Sequence, residues 1–279
     1  MSTKPVWFVT GASQGFGLAI VNTLLGKGWK VAAATRSIKR LSDNVQIKTD
    51  DFFPIEVDIT KDEEVKLCVG QIMKKFGTID VVVNNAGYAH KGAFESITDA
   101  SIRKEFDVNF FGLLNVTRNV LPIMRKNRKG LIFNVSSISG MRGTVLNSIY
   151  VASKHAVNGF SESLRLEVSD FNIKVVTVMP GWIRTNFLES SSLKKTEINI
   201  DDYQEKSKKL FKYLDERNHK QEGDPVLCAE VLIKVSLMKD PPLNLFLGED
   251  AIIAAEEKLD QIKNDIKDHR DLMSSTFFK

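Results

Sequence analysis

The chain has 279 residues, of which 43% are hydrophobic and 27% charged, and its formal net charge is +4. This is an ordinary globular composition, and mixed charges without a long basic run argue against a nucleic-acid or membrane surface. The two cysteines, Cys68 and Cys228, stand far apart and fit no metal or redox spacing, so we expect a reducing, cytoplasmic location. We expect neither a signal peptide nor a transmembrane helix.

The predicted elements alternate, in chain order, between short strands and longer helices. Runs rich in β-branched and other apolar residues predict strands at Val6–Val9, Lys30–Ala34, Phe53–Val57, Ile79–Val83, Gly130–Val135, Lys174–Met179 and Leu243–Leu247. Apolar residues at helical spacing predict helices at Leu18–Leu25, Glu63–Phe76, Ile102–Lys126, Ser148–Ser169, Gln204–Arg217, Pro225–Met238 and Asp250–Met273. Apolar strands separated by helices predict an α/β fold with a Rossmann-type, doubly wound parallel sheet.

The chain shows no repeat and no composition break that would separate two domains. We therefore predict a single domain over residues 1–279, with a core at about 1–190, a substrate lid at about 186–223 and C-terminal helices at about 224–279. Asp224 followed by Pro225 is typical of a helix start. We expect the apolar stripe of the last helix to pack on the body of its own chain, and the alternative is a seam that faces a partner.

The first strand leads into the glycine pattern of Gly11, Gly15 and Gly17, and a predicted helix follows it. Glycine permits a tight turn in which backbone N–H groups approach a phosphate, and the helix directs its positive end at the same anion. At a first strand-to-helix junction this pattern predicts a dinucleotide site.

The end of the second strand favours NADP(H) over NAD(H). An acidic side chain there would hold the ribose of NAD, but Thr35 occupies that position and Arg36 follows it. An arginine can pair with a 2′-phosphate through two hydrogen bonds, whereas a carboxylate would repel it. The alternative is that Arg36 is an ordinary surface arginine.

Residues 150–154 read Y-V-A-S-K, which sets Tyr150 and Lys154 one helical turn apart on one face. Such a pair is either an accidental surface contact or an acid–base device. Four motifs together resemble those of the short-chain dehydrogenase/reductase family, over about the first 190 residues. In chain order they are T-G-A-S-Q-G-F-G, N-N-A-G at Asn84–Gly87, V-S-S at Val135–Ser137 and Y-V-A-S-K.

The resemblance implies a nicotinamide cofactor and a catalytic tetrad of Asn109, Ser137, Tyr150 and Lys154. Tyr150 would exchange a proton with the substrate oxygen, and we expect the Lys154 ammonium to lower the tyrosine pKa. Ser137, which we prefer to Ser136, would hold the substrate oxygen, and Asn109 would hold a water that links Lys154 to solvent.

The resemblance also implies the positions that contact the cofactor. They are Gly11, Ser13, Gln14, Gly15, Phe16, Gly17, Arg36, Asp58, Ile59, Asn85, Ala86, Gly87, Tyr150, Lys154, Pro180, Gly181, Ile183 and Thr185. One position departs from the pattern of some NADP-preferring relatives, which carry a basic residue where this chain has Gln14.

We therefore predict an NADP(H)-dependent oxidoreductase that interconverts a carbonyl and an alcohol, working mainly as a reductase where NADPH is kept reduced. The alternative is a non-catalytic NADP-binding sensor or scaffold. We expect a small-molecule substrate, with steroid, retinoid, fatty-acyl and small aromatic carbonyls all open, and no metal, nucleic acid or membrane partner. The resemblance implies a homodimer or homotetramer, and we interpret His90 as a solvated loop residue.

Overall fold

The computed structural model describes residues 4–47, 49–197 and 199–278. Ile198, in the middle of the predicted lid, lies outside the described residues. The strands are β1 (Val6–Thr10), β2 (Lys30–Thr35), β3 (Phe52–Glu56), β4 (Val81–Asn84), β5 (Ala89–Lys91), β6 (Gly130–Val135), β7 (Ile173–Pro180), β8 (Leu193–Lys195) and β9 (Asn244–Leu247).

The helices occupy most of the segments between these strands. They are α1 (Gly15–Gly26), α2 (Ile38–Asn44), α3 (Asp62–Phe76), α4 (Asp99–Phe106), α5 (Gly112–Asn127), α6 (Ser148–Glu167), α7 (Asp201–Arg217), α8 (Pro225–Ser236) and α9 (Glu249–Ser274). Asp224 caps α8 as predicted, because its carboxylate accepts from the N–H groups of Val226 and Leu227.

The described strands build a parallel sheet of seven in the order β3-β2-β1-β4-β6-β7-β9. Two apolar clusters cover its two faces, one containing Trp7 and Phe133 and the other containing Phe8 and Ile132. Adjacent residues of β1 and β6 therefore point to opposite faces, and both faces exclude water, which explains why these strands are apolar without alternation. The predicted doubly wound α/β fold is confirmed.

The order of the strands reverses at β1 and β4, which are neighbours in the sheet although β2 and β3 separate them in the chain. In open α/β sheets the crevice beyond the carboxyl ends of the strands at such a point is the usual place for a ligand. The loops after β1, β4 and β6 carry the predicted motifs to this edge.

The prediction of one continuous helix over Ile102–Lys126 is wrong. Helices α4 and α5 flank a π-helical turn at Asp107–Phe111, which holds Asn109 at its centre. A π turn inserts one extra residue per turn and is frequent at functional sites. Three-four spacing of apolar residues cannot reveal it.

A small parallel pair, β5 with β8, lies apart from the main sheet. Neither strand was predicted, because each has only three residues. His90 is half-buried in β5, and its Nε2 lies 2.6 Å from the Thr196 hydroxyl. The interpretation of His90 as a solvated loop residue is therefore wrong.

Helix α9 packs on its own chain only at its beginning. Ala251 and Ala255 are buried, whereas Leu259, Ile262 and Ile266 are more than 40% exposed. The prediction that the whole apolar stripe packs on the body is therefore wrong. The last salt bridge from the helix to the body joins Glu257 to Arg142 within the described part of the chain. No helix in the described ranges combines the length and the apolar character needed to cross a bilayer.

Candidate active site

The glycine-rich turn between β1 and α1 is held tightly against the end of β4. Gly11 has a φ of +64°, and a Cβ there would lie 2.8 Å from the Cα of Ala86. The Asn85 amide donates to the backbone oxygens of Thr10 and Gly11 at 3.0 and 3.2 Å. Both the positive φ and the close approach require glycine at position 11.

The beginning of α1 suits an anion. Gln14 is the residue before the first turn, yet its side chain makes no capping hydrogen bond, and the first turn contains no acidic residue. The first backbone N–H groups of a helix have no partner inside it and carry a partial positive charge. A phosphate would satisfy them.

Basic and acidic side chains mark the far end of the cleft. Arg36 is exposed beyond the buried Thr35, whose hydroxyl accepts from the Ser37 N–H at 3.0 Å. Asp58 lies opposite, and its Oδ1 accepts from the N–H and the hydroxyl of Thr60. Partial burial raises the pKa of Asp58, but the Thr60 hydrogen bonds and the nearby Lys61 and Arg36 outweigh it, so the net shift is downward.

A single cavity of about 1220 Å³ joins these features to the predicted catalytic residues. Every predicted site residue except Gly17 and Asn109 lines this cavity. Gly17 is buried under the turn, where a Cβ would collide with the Gly11 carbonyl oxygen. Asn109 is only 1% exposed and lies behind the cavity wall.

Tyr150 lies in this cavity on α6, 8% exposed, beside Ser137. Burial raises the pKa of the phenol, a hydrogen bond with the Ser137 side chain opposes that rise, and the charge of Glu105 adds to it. The sequence led us to expect a lowered pKa. The difference arises because burial dominates. The Lys154 Nζ lies 5.6 Å above the tyrosine ring and donates to the Val135 carbonyl oxygen at 2.9 Å.

Lys154 is itself buried, with 4% of its surface exposed. Burial lowers its pKa to about 8, against the opposing attraction of Glu105. An ammonium with a pKa near neutrality can gain and lose a proton readily under physiological conditions.

The two candidate serines at the end of β6 differ in their contacts. The Ser136 hydroxyl is buried and donates to the Lys154 carbonyl oxygen at 3.1 Å. The Ser137 hydroxyl faces Tyr150 and accepts from the Ser139 N–H at 3.1 Å. Ser137 is therefore the one whose hydroxyl lies beside the phenol.

Asn109 connects three segments around the site. Its amide nitrogen donates to the Tyr88 carbonyl oxygen at 2.9 Å and to the Ser153 hydroxyl at 3.1 Å. Its amide oxygen accepts from the Tyr88 N–H at 3.0 Å. These bonds attach the β4–β5 connection to α6, and the π turn allows the Asn109 side chain to reach both.

Sequence reasoning missed Glu105, which is fully buried on α4. Its Oε1 lies 3.5 Å from the Asn109 amide nitrogen, and its Oε2 has no hydrogen-bond partner within the described part of the chain. Burial raises its pKa to about 8, although the His90 N–H, Lys154 and Lys91 oppose that rise. Its spacing of four residues from Asn109 was the available signal, because that spacing places both on one helical face.

The predicted substrate lid, called the lid below, follows a bridge between Ile183 and Gly223 and the Thr185 hydroxyl, which accepts from the Phe187 N–H. Ala89 and Tyr150 pack into an apolar cluster with lid residues. The lid members of that cluster are Trp182, Phe187, Leu188, Leu193, Leu210, Phe211 and Leu214. Over residues 4–47, 49–197 and 199–278, no group of three or more His, Cys, Asp or Glu side chains could hold a metal ion.

The cleft and fold define a nucleotide-binding oxidoreductase, and comparison with known proteins gives the family. Residues 5–196 match the family model described as short chain dehydrogenase. The chain is 37% identical over 248 residues to Oxidoreductase BOA17 of Botryotinia fuckeliana, covering 88% of this chain and 90% of that one. The chain belongs to the short-chain dehydrogenase/reductase family.

Two further relatives agree with this assignment. The 3-ketodihydrosphingosine reductase of Bacteroides thetaiotaomicron is 34% identical over 240 residues, covering 86% of each chain. The crystal structure of a short-chain dehydrogenase from Streptomyces avermitilis superposes with a TM-score of 0.91 and 33% identity, covering 100% of both chains. More distant structures with the fold include one bound to NAD and one bound to NADP.

Proposed function

We propose that this protein is an NADP(H)-dependent oxidoreductase that interconverts a carbonyl and an alcohol, with Tyr150 as the general acid and base. One observation supports this best: Tyr150, Ser137 and Lys154 line the same cavity as the glycine-rich turn and Arg36. Hydride transfer to a carbonyl needs a proton donor within hydrogen-bond reach of the carbonyl oxygen while the carbon faces the nicotinamide, so both must open into one cleft.

The residues of the cleft fit a nicotinamide dinucleotide, which would supply or accept the hydride when bound. The uncapped N-terminus of α1 suits the pyrophosphate. Asp58 stays ionised and can accept a hydrogen bond from an amino group of the base. Lys154 lines the cavity, where its ammonium could bind the ribose hydroxyls.

The preference for NADP(H) rests on charge at the adenosine end. Arg36 lines the cavity and forms no salt bridge with the acidic residues that the structure describes. An unpaired guanidinium gains most from a phosphate, which accepts two of its hydrogen bonds at once. Arg40 adds a second positive charge to the adenosine end of the cavity, and its Nη1 donates to the Gln14 side chain at 3.2 Å.

In the direction of reduction, the substrate oxygen gains negative charge as its carbon accepts hydride. Ser137 can hold that oxygen with its own proton, because its oxygen already accepts from the Ser139 N–H. Tyr150 then transfers its proton to the developing alkoxide. Its raised pKa keeps the phenol protonated before the reaction.

Lys154 can also return the proton to Tyr150. The Lys154 pKa of about 8 lies below the raised pKa of the phenol, and its Nζ lies 5.6 Å from the centroid of the tyrosine ring. Asn109 fixes the backbone of Tyr88 and the Ser153 hydroxyl around this pair. The Bacteroides relative is named a reductase, which agrees with reduction as the main direction.

The test is NADPH oxidation by the purified protein with a panel of aldehydes and ketones, with Tyr150→Phe as the variant. We expect turnover by the wild type, a loss of about 100-fold or more in the variant and little change in its NADPH affinity. Full activity of the variant would contradict the mechanism. Tight NADPH binding without turnover of any substrate would favour the non-catalytic sensor.

A further inference from the structure

The charged residues that line the cavity are strongly unbalanced in sign. Its one carboxylate among the described lining residues is Asp58, at the adenosine end. Three of its cations, Arg36, Arg40 and Lys154, belong to the proposed cofactor half. The other four lining cations are Lys91, Lys104, Lys194 and Lys195. These four, which we call the lysine rim, are not needed for the reaction proposed above.

The strand pair β5–β8 brings three of the rim lysines to the lid. Lys91 pairs in register with Lys195, and His90 with Lys194. Residues two apart on a strand share a face, so Lys91 lies on the face of Ala89, which packs in the cluster with Tyr150. Lys91 is about 7 Å further along the strand than Ala89. A ligand at Tyr150 can therefore extend to Lys91.

The rim lysines differ in how they are neutralised. Lys195 forms an ion pair with Asp215 at 2.5 Å. Within the described structure, Lys91, Lys104 and Lys194 have no carboxylate within 4.0 Å. Lys91 is half-buried, and burial lowers its pKa to about 8 although Glu105 attracts it from α4. A desolvated ammonium without a contacting anion is costly, and a bound anion would relieve that cost.

Apolar side chains lie in the same half of the cavity. Phe187, Leu188, Leu210 and Leu214 line it and belong to the cluster that contains Tyr150. They would contact the part of a ligand between the reacting carbon and the lysine rim. An apolar wall that ends in unpaired cations suits a molecule with an apolar body and an anionic end.

We propose that the natural substrate is a carbonyl compound with an apolar body and an anionic group, a carboxylate or a phosphate ester, and that Lys91 is the main partner of that group. This inference rests on the proposed function and narrows its substrate class. The opposing interpretation is that the rim is a solvated basic surface with no preference for charge.

Binding of unreactive ligands tests the inference without requiring turnover. Octanoate, octyl phosphate and 1-octanol share one apolar chain and differ in the charged end. Calorimetric titration of the NADPH-loaded protein, in which none of the three ligands can accept hydride, should give at least tenfold tighter binding of one or both anions than of the alcohol. The anion that binds more tightly shows whether the substrate carries a carboxylate or a phosphate ester, and added salt should weaken its binding.

Lys91→Met removes the charge while keeping an apolar stem of similar length. We expect it to abolish the advantage of the anion and to leave binding of 1-octanol within about twofold. Lys209→Met is the matched control, because Lys209 is exposed on α7 and does not line the cavity. It should change none of the three affinities. Equal affinities of the wild type for anion and alcohol would overturn the inference, as would an equal loss for all ligands in Lys91→Met.

The two proposals fail in different ways. If neutral carbonyl compounds are reduced as well as their acidic counterparts and the anions show no advantage in binding, only the substrate class is wrong. If the anions bind through Lys91 but no carbonyl compound oxidises NADPH, the proposed oxidoreductase activity is wrong while the anion site stands.

Discussion

Gln14 on the glycine-rich turn donates from Nε2 to the Ser192 hydroxyl of the lid, and the two atoms are 2.9 Å apart. The same side chain accepts from Arg40 at 3.2 Å. Ser192 is 7% exposed, so the hydrogen bond is sheltered from water. Gln14 therefore bridges the cofactor half of the cleft and the lid, across the place where the pyrophosphate would lie.

Gln14→Ala should loosen the lid over a bound cofactor. The two hydrogen bonds contribute about 1 kcal/mol each, so we expect their loss to raise the Kd for NADPH by at most roughly 30-fold. Stopped-flow measurement should trace most of the change to faster cofactor release. Gln261→Ala, on the exposed part of α9, is the control and should leave Kd unchanged. An unchanged Kd in Gln14→Ala would mean that these two hydrogen bonds do not contribute to NADPH affinity.

Arg36→Ala tests the choice of cofactor. A charge-assisted pair with a 2′-phosphate is worth about 1.5–3 kcal/mol, so NADPH should bind roughly 10- to 100-fold more weakly while NADH is unaffected. Fluorescence titration of the bound nicotinamide measures both affinities. Lys39→Ala, three residues further on, controls for the general loss of a positive charge. If the variant loses both cofactors equally, Arg36 acts on the fold or on the shared part of the molecule.

Ser136 and Ser137 form a matched pair for the catalytic step. Ser137→Ala removes the hydroxyl beside Tyr150, and the loss of a donor to a developing oxyanion costs about 100- to 1000-fold in kcat. Ser136→Ala removes a buried hydrogen bond to the Lys154 carbonyl oxygen, so it should lower the free energy of unfolding by about 1 kcal/mol and keep most of kcat. The reverse ranking in steady-state kinetics would assign the substrate contact to Ser136.

The sequence was sufficient to predict the main sheet, because β-branched runs such as Ile79–Val83 are buried on both faces and need no alternation. The positions of the candidate site were also predictable where a motif carries them. Gly11 is an example, since both its φ and its contact with Ala86 demand glycine. The roles of Asn109, Ser137, Tyr150 and Lys154 stay predictions.

What the sequence could not reveal depends on contacts between distant segments. The β5–β8 pair joins two three-residue strands about a hundred positions apart in the chain, too short to give a periodic pattern. The π turn around Asn109 is set by the backbone of Tyr88 and by Ser153, neither of which is a neighbour in sequence. The exposure of α9 is equally invisible, because its apolar stripe has the same spacing whether it is covered or not.

Glu105→Gln tests the buried carboxyl beside Asn109. Its pKa is about 8 in the folded protein against an ordinary value of 4.5, so the folded state retains a proton that the unfolded state loses. The stability that this group contributes is therefore complete below pH 4.5 and is lost as the pH rises toward 8. Glutamine mimics the protonated carboxyl and has no such dependence. The free energy of unfolding of the variant should therefore rise relative to that of the wild type through this pH range, by at most about 3 kcal/mol at pH 7.

Urea denaturation of both proteins at pH 5, 6, 7 and 8 measures that gain as a widening difference in the free energy of unfolding. Glu162→Gln, an exposed carboxylate on α6, is the control and should run parallel to the wild type. Lys91, Lys154 and the His90 N–H all face Glu105 and favour its ionised form. If they prevail, Glu105→Gln will be less stable than the wild type at pH 8, because it removes a carboxylate whose charge favours the Lys91 and Lys154 ammonium groups. The change in this difference between pH 5 and pH 8 therefore reports whether the carboxyl beside Asn109 keeps its proton in the folded protein.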